Sequence, residues 1–266
     1  MIVHNISPVL LQLGPLAIRW YGLIYMLGFV LGYLWLRHAA SKKWVKGLTK
    51  DNAESYIVYL LLGVVLGARL FEVFVYHPAY YLANPVLIPQ VWLGGLSFHG
   101  GLVGAAFVTW LFIRKHKIQF YDLADLLVIP AALALGLGRI ANFINGEIPG
   151  ILSNLSWCVT SYPDHPTIEG CRHPVVLYES LKNLFMAIVL YLLYMRREKL
   201  PKGFIFWSFV SMYGFLRFFI TFLRDEPHVL LGLNMGQVLS FIMLVLGVTM
   251  LFFLWKNASH VRKRKV

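Results

Sequence analysis

Charged residues are scarce in this chain, and acidic residues are scarcer than basic ones. Asp, Glu, Lys and Arg make up 14% of the 266 residues, hydrophobic residues make up 59%, and the mean hydropathy is +0.67. Soluble domains carry about 25% charged and roughly 45–50% apolar residues. The composition therefore excludes an ordinary soluble protein and predicts a polytopic membrane protein.

Other common sequence features are also missing. The chain has no internal repeat, no low-complexity run and no Cys/His spacing typical of a zinc site. Its start lacks a basic region followed by a short apolar run and a small-residue cleavage site, so we expect no removable signal peptide. We expect no metal and no cofactor, and a single polytopic domain over residues 1–266.

Apolar segments long enough to cross a bilayer as helices occupy most of the chain. A crossing helix needs about 20 apolar residues, so some seven crossings plus loops leave no room for a separate soluble domain. We therefore predict an all-α integral membrane protein with about seven transmembrane helices. The predicted crossings are residues 18–36, 54–75, 96–113, 123–145, 175–195, 203–223 and 235–255.

The net charge of +12 could indicate a nucleic-acid partner, but the positions of the charges argue against one. Most basic residues lie in clusters that follow the first, third, fifth and seventh predicted helices. The positive-inside rule assigns such connections to the cytoplasm, which places the N-terminus on the periplasmic side and the C-terminus in the cytoplasm. The clusters comprise Arg37, Lys42, Lys43, Lys46, Lys50, Arg114, Lys115, Lys117, Arg196, Arg197, Lys199, Lys202, Lys256, Arg262, Lys263, Arg264 and Lys265.

Seven further basic residues lie within the helices or toward their outer ends. Cations grouped in this way form a site for an anion, and guanidinium groups suit phosphate through forked hydrogen bonds. A lipid phosphate is the nearest candidate ligand. The alternative is ion pairing within the membrane, which we expect for Arg69 with Glu72, three residues further on. The seven residues are Arg19, Arg69, Arg139, Arg172, Lys182, Arg217 and Arg224.

Two outer connections differ from the basic inner ones. Residues 76–94 contain three prolines and many aromatic residues, which predicts an interfacial arm along the membrane surface. Residues 148–174 form the largest loop and contain the only cysteines, Cys158 and Cys171. A disulfide there would contribute roughly 3 kcal/mol, but the sequence leaves its formation open.

One polar stretch, GLGRIANFINGEIPG at residues 136–150, ends an otherwise apolar segment. It contains Arg139, Asn142, Asn145 and Glu147. An ionisable side chain in hydrocarbon costs about 2.5 to 3.5 kcal/mol, so it is usually paired, faces the protein interior and marks a site. The alternative is that Arg139 reaches a lipid headgroup while the asparagines cap the helix.

Further polar residues occur in the first and third predicted helices. Tyr21 and Tyr25 lie one helical turn apart near the outer end of the first helix, where either an aromatic belt or a functional role is possible. His99 lies among glycines in GGLSFHGGLVG, and a histidine can exchange a proton near neutral pH. Glycines at such positions allow a lipid tail or another backbone to come close.

The fifth and sixth predicted helices carry the remaining candidates. His173 and Glu179 flank the proline that begins the fifth helix, which also directs a helix dipole toward the site. Tyr213 and Arg217 are four residues apart in the sixth helix, and Arg224 continues the same face. Two arginines in this stripe favour a site over helix packing alone.

These motifs together resemble the prolipoprotein diacylglyceryl transferase family along nearly the whole chain. The matching stretches are WYGL, SFHGG, GRIANFINGE, HPVVLYE, YGFLR and NMGQVLS. The resemblance implies a bacterial inner-membrane enzyme that moves the diacylglyceryl group of phosphatidylglycerol onto the lipobox cysteine of a preprolipoprotein and releases glycerol phosphate. By motif position it implies roles for Tyr21, His99, Arg139, Asn142, Glu147, Gly150, His173, Glu179, Tyr213, Arg217 and Arg224.

The chain departs from the family pattern at a few positions. Thr221 stands where an acid is usual between the two arginines of the sixth helix, and Ile151 stands where an arginine is usual. Asp225 and Glu226 follow Arg224 at what we expect to be the wrong register to replace that acid. A divergent member that binds lipid or lipoprotein precursors without transfer is therefore an alternative, as is a transporter for an anion or lipid.

The implied reaction gives these residues chemical roles. We expect Arg139 and Arg217 to hold the phosphate as the carbon–oxygen bond breaks, and His99 to take the thiol proton. Glu147 or Glu179 would orient His99 or an arginine, and Tyr21 completes the catalytic set. The expected substrate-binding residues are Arg139, Asn142, Asn145, Gly150, His173, Glu179, Tyr213 and Arg224.

Overall fold

A computed structural model describes residues 1–14, 16–160 and 169–263; residues 161–168 of the predicted 148–174 loop lie outside this range. The fold is mainly helical, as predicted. The helices are α1 (Trp20–Ser41), α2 (Lys50–Phe71), α3 (Pro78–Ala83), α4 (Phe98–His116), α5 (Phe120–Ile144), α6 (Val175–Met195), α7 (Phe204–Ile220) and α8 (Met235–Lys263). Short strands are β1 (Ile2–Val3), β2 (Val9–Leu13), β3 (Leu16–Arg19), β4 (Val159–Thr160), β5 (His228–Leu230) and β6 (Leu233–Asn234).

Six helical segments in the described part of the chain are long and apolar enough to cross a membrane, so the chain is a multi-pass membrane protein. They overlap six of the seven predicted crossings. The remaining prediction, residues 96–113, forms α4, which has His99 near its start and Arg114 and Lys115 near its end. The six segments are Trp20–Ser41, Lys50–Tyr76, Phe120–Ile144, Val175–Met195, Phe204–Leu223 and Met235–Ala258.

Polar side chains fix where several helices begin. Thr49 and Asn52 form a capping box, which starts α2 at Lys50 rather than at residue 54 as predicted. Asp125, on α5, accepts hydrogen bonds from the backbone N–H groups of Gly203 and Phe206, both at 2.7 Å, and so caps α7. Such contacts satisfy N–H groups that have no partner within their own helix.

The chain divides into two compact units, which we call the larger unit (Met1–Leu31 and Ala124–Val266) and the smaller unit (Gly32–Leu123). In the smaller unit, α2 packs directly against α4. Glycines allow this close approach: a Cβ atom at Gly67 or Gly104 would collide with the backbone of the opposite helix. Small residues bring membrane helices together in this way.

The segment after α2 forms the predicted broken arm. Residues 72–76 are a π-helical turn, α3 follows, and two short 3-10 turns cover residues 85–87 and 91–93. This segment contains no long helix, because its prolines end each helical stretch.

The predicted ion pair between Arg69 and Glu72 is wrong. Arg69 is 5% exposed and donates hydrogen bonds to Tyr81 Oη and to the arm's carbonyl groups. Glu72 instead lies 2.8 Å from Nδ1 of His77. Arg69 binds the arm because its fork of donors reaches several backbone carbonyls of this irregular segment at once. These carbonyls belong to Leu87, Ile88, Gln90, Gly94 and Gly95.

In the larger unit, the N-terminal segment is bound to the connection between α5 and α6. Strand β1 pairs in parallel with β4. His4 is buried, and its Nε2 lies 2.6 Å from the Phe143 carbonyl oxygen at the end of α5. Cys158 and Cys171 form a disulfide, which resolves the alternative that the sequence left open.

Candidate active site

Polar side chains at the end of α5 form a continuous hydrogen-bonded chain. Arg139 Nη1 donates to Asn142 Oδ1 at 3.2 Å, and Asn142 Nδ2 donates to Glu147 Oε2 at 2.5 Å. Asn145 Nδ2 donates to the other carboxylate oxygen of Glu147 at 2.8 Å. The two amides therefore hold Glu147, and through Asn142 they orient Arg139 rather than leaving it to reach a lipid headgroup.

Glu179 on α6 connects two of the predicted arginines. Its side chain is 2% exposed, and its Oε2 lies 2.5 Å from Arg139 Nε. Its Oε1 lies 3.4 Å from Arg224 Nη1. A buried carboxylate requires such partners, because an unpaired charge is very costly in the interior. The structure therefore brings together residues from α5, α6 and the segment after α7.

Arg224 has a second carboxylate partner that the sequence interpretation ruled out. Its Nη2 lies 2.7 Å from Glu226 Oε1, so the expectation that Glu226 lies at the wrong register is incorrect. The reason is that α7 ends at Ile220 and Arg224 has an extended backbone, so helical spacing no longer applies. Burial lowers the pKa of the Arg224 guanidinium while Glu179 and Glu226 raise it, and the group stays charged at neutral pH.

Arg217 on α7 is left without a carboxylate partner. Its Nη1 donates to Tyr213 Oη at 3.0 Å, a contact that their four-residue spacing on one helix face allows. No carboxylate oxygen in the described ranges lies within 4 Å of it. Thr221, in place of the family's usual acid, is fully buried and donates to the Arg217 carbonyl at 2.6 Å. The guanidinium therefore keeps donors for another ligand.

Gly150 occupies a position that excludes any larger residue. Its N–H donates to the His173 carbonyl at 3.2 Å, and its own carbonyl accepts from Arg172 Nη1 at 2.9 Å. An added Cβ would lie 2.6 Å from the His173 oxygen and 2.7 Å from the Leu223 oxygen. Gly150 thus joins the start of α6 to the end of α7, and its role here is close packing.

The other predicted residues of the larger unit have local partners. His173 Nδ1 lies 3.3 Å from Tyr178 Oη, which accepts a hydrogen bond from Trp157 at 2.8 Å. Tyr21 and Tyr25 hydroxyls are 3.1 Å apart. Tyr21 also lies within electrostatic range of Glu147 and Arg139, which associates it with the cluster at the end of α5.

His99 belongs to the smaller unit. It lies in the first turn of α4, where Ser97 caps the helix. Its side chain is exposed, and its Nδ1 lies 2.7 Å from Tyr76 Oη. This hydrogen bond leaves Nε2 as the nitrogen available to exchange a proton.

The NMGQ stretch matches the family pattern, but the sequence alone did not indicate its role beside Arg217. Asn234 and Gln237 of NMGQ form a reciprocal capping box at the start of α8: each side-chain oxygen accepts from the other residue's backbone N–H, at 2.9 and 3.0 Å. A Cβ at Gly236 would lie 3.8 Å from Arg217 Nη2, so this cap lies next to the guanidinium. The Asn-x-x-Gln spacing was the available signal.

The cluster is suited to binding an anion. It combines guanidinium groups that are held in place by buried carboxylates with one, Arg217, that is not ion-paired. No group of three or more His, Cys, Asp and Glu side chains in the described ranges could hold a metal ion.

The chain is similar over most of its length to proteins of one family. The profile of the family described as Prolipoprotein diacylglyceryl transferase matches residues 8–253. Three similar proteins are all named phosphatidylglycerol–prolipoprotein diacylglyceryl transferase. The Geobacter sulfurreducens protein is 41% identical, with 98% of each chain covered, and the Bordetella avium protein is 42% identical, covering 96% of this chain and 97% of its own. The Photobacterium profundum protein is 37% identical, covering 95% and 94% respectively.

The match spans all of the motifs that form the cluster, from Tyr21 at the start of α1 to the NMGQ cap of α8. It also spans both compact units. The chain therefore belongs to the prolipoprotein diacylglyceryl transferase family.

Proposed function

We propose that the protein transfers the diacylglyceryl group of phosphatidylglycerol to the thiol of a lipobox cysteine in a preprolipoprotein. The observation that carries this proposal is the nearly full-length similarity to proteins named for that reaction. Those names give no support to the alternatives of a transporter or a scaffold that binds without transfer. The site supports the proposal through its arginines, which suit the phosphate group of the lipid.

The reaction exchanges one bond for another. The cysteine sulfur attacks the glyceryl carbon that bears the phosphate, a carbon–sulfur bond forms, and the carbon–oxygen bond to phosphate breaks. The leaving oxygen takes the electron pair, so glycerol phosphate departs with an added negative charge. Because the free thiol has a pKa of about 8.5, a base that accepts its proton accelerates the attack at neutral pH.

In this proposal Arg139 and Arg217 stabilise the charge that develops on the departing phosphate. Arg139 is held at a fixed position by Glu179 and by the Asn142–Glu147 pair, so little reorganisation is needed during the reaction. Arg217 keeps most of its donors uncommitted. Tyr21, near Glu147 and Arg139, completes the catalytic group.

The remaining residues of the cluster bind and orient the lipid. The arginines are held by Glu179, which pairs with Arg139 and Arg224, and by Tyr213, which accepts a hydrogen bond from Arg217. Asn145 holds the carboxylate of Glu147. Gly150 and His173 form the wall between α6 and α7. These assignments make the cluster a headgroup site rather than an acyl-chain site.

We assign the general base to His99. Its Nε2 is not used by the hydrogen bond to Tyr76, and an imidazole nitrogen that is free to accept a proton can act as a general base. Transfer of the thiol proton to His99 would leave the thiolate to attack the lipid.

We further propose that the protein crosses a bacterial inner membrane seven times with its N-terminus in the periplasm. Because β1 pairs with β4, both strands lie on one side of the membrane, and an even number of crossings must separate them. Helices α1, α2 and α5 are three of these crossings, and α4 provides the fourth. The Cys158–Cys171 disulfide supports the periplasmic side, since disulfides persist in oxidising compartments.

The direct test is transfer by the purified protein in vesicles that contain phosphatidylglycerol, with a peptide that carries a lipobox cysteine. We expect a thioether-linked product and an equal amount of glycerol phosphate. Growth rescue of a transferase-depleted strain provides the cellular readout. A folded protein that gives neither result would refute the proposal.

Two variants test the assigned roles. Arg139→Ala should lower the transfer rate by about 10²–10³-fold, as loss of a transition-state donor does. Arg37→Ala, at an exposed arginine of α1 that is not among the candidate site residues, is the matched control and should retain wild-type activity. His99→Gln should lower the rate by about 10²-fold or more; normal transfer by this variant would remove the base assignment and leave the phosphate site intact.

A further inference from the structure

Lys182 is a buried lysine beside the arginine cluster. It lies on α6, three residues after Glu179, and is 6% exposed. No residue in the described part of the chain accepts a hydrogen bond from its Nζ. An ammonium group normally donates three hydrogen bonds, so this group lacks the partners that burial demands.

The Lys182 side chain points toward the headgroup cluster. Its Nζ lies 4.0 Å from the centre of the Tyr213 ring. The guanidinium carbon of Arg217 lies 5.8 Å from the same ring, and Arg217 also donates to the Tyr213 hydroxyl. The ring thus lies beside two cations. Lys182 is within electrostatic range of Glu179, Arg217, Arg139 and Arg224.

The carboxylates of the cluster are already used by other cations. Glu179 pairs with Arg139 and Arg224, and Glu226 pairs with Arg224. Lys182 and Arg217 are the two cations of this cluster with no carboxylate oxygen within 4 Å in the described ranges. A cation–π contact offsets only part of the cost of burying a charge. The two groups therefore lack an anion.

We propose that Lys182 and Arg217 together bind the phosphate oxygens of the lipid headgroup, with Tyr213 as the surface that positions both. This inference rests on the proposed function and deepens it, because it adds a phosphate ligand. Lys182 contributes a compact point charge and Arg217 a planar fork, a combination that can bind different oxygens of one phosphate. Arg139, which is paired with Glu179, then stabilises the leaving oxygen.

The test uses Lys182→Met in the full-length protein, with Lys46→Met at an exposed position as the matched control. We expect the KM for phosphatidylglycerol to rise at least about tenfold, while the KM for the lipobox peptide stays within about threefold. The control should match wild type in both values. An unchanged KM for phosphatidylglycerol would overturn the inference and leave the proposed transfer reaction standing.

A binding measurement separates this inference from the reaction itself. Glycerol phosphate and inorganic phosphate are titrated separately into the detergent-solubilised protein, and the thermal midpoint is recorded. Glycerol phosphate should raise the thermal midpoint of both the wild type and the control. For Lys182→Met, the glycerol phosphate concentration that gives the same rise should be at least about tenfold higher. If inorganic phosphate also raises the thermal midpoint of the wild type, the same site binds free phosphate as well as the phosphate of the headgroup. Equal effects of glycerol phosphate on wild type and Lys182→Met would refute the inference even in a protein without transferase activity.

Folding of the variant is itself informative. Replacing an unpaired buried charge with an apolar side chain of similar length is neutral or stabilising. We therefore expect the thermal midpoint of Lys182→Met without ligand to equal or exceed that of wild type. Lys182→Leu, a second apolar replacement, should behave in the same way. Failure of both variants to fold would contradict the unpaired state of Lys182 and with it the inference.

Discussion

Replacing Arg69 should release the arm formed by residues 77–97 while the rest of the protein stays folded. Arg69 makes six hydrogen bonds to this arm, five of them to backbone carbonyl groups at 2.5–3.3 Å. At about 1.5 kcal/mol for each bond to a charged donor, the low end of the usual range, the six bonds would together contribute about 9 kcal/mol. Water can replace part of this, because most of the arm is exposed or half-buried. We therefore expect Arg69→Met to cost about 3 kcal/mol, the upper end of the range for leaving a buried hydrogen-bonding group without its partner.

Hydrogen–deuterium exchange measures this opening directly. A loss of about 3 kcal/mol predicts about 100-fold faster exchange in peptides from the arm, with little change in α6 and α7. Glu72→Gln is the control, since the ion pair of Glu72 is with the exposed His77 and its loss should change arm exchange less than about threefold. If both variants accelerated exchange equally, an Arg69–Glu72 ion pair would explain the data and the assignment of Arg69 to the arm would be wrong.

Three further predictions concern the larger unit. Gly150→Ala should lower the free energy of unfolding by about 1–3 kcal/mol and reduce transfer, because its Cβ would lie within 2.7 Å of two carbonyl oxygens; a wild-type thermal midpoint would contradict the close packing. Glu179→Gln should lower transfer by about 10²-fold by freeing Arg139 and Arg224, whereas Asp225→Asn, which affects only the pair with Arg172, should be nearly neutral in the same assay. A Cys158→Ser/Cys171→Ser variant should lose roughly 3 kcal/mol of stability, and a reductant should lower the thermal midpoint of wild type to that of the variant without affecting the variant.

Most of the helical architecture was predictable, because each crossing is a local property of the sequence. The predicted spans overlap the observed helices, and the Tyr213–Arg217 contact follows directly from helical spacing. Both depend only on residues that are near neighbours in the chain. The polar stretch at residues 136–150 was identifiable for a similar reason, since charge in an apolar segment is costly wherever the segment packs.

The ion-pair and hydrogen-bond partners of the charged side chains were less predictable, above all where the chain leaves a helix. Arg224 reaches Glu226 only because α7 ends before it, and Arg69 reaches carbonyls 18 to 26 residues away rather than Glu72 on its own helix. The pairing of Glu179 with Arg139 depends on how α5 and α6 pack. Spacing within one helix carries no information about these choices.

The pairing of β1 with β4 also constrains how the protein is made. Ile2 is synthesised long before its strand partner Val159, which follows α5 in the chain. Strand β1 must therefore stay unpaired until α5 and the segment after it have been synthesised. Such a long-range contact forms late and slowly, because closing a large loop is entropically unfavourable before native contacts compensate. The structure around Gly150 and Arg172 can thus be completed only in the second half of biogenesis, so a chain that stalls after α4 would have neither this strand pair nor the arginine cluster.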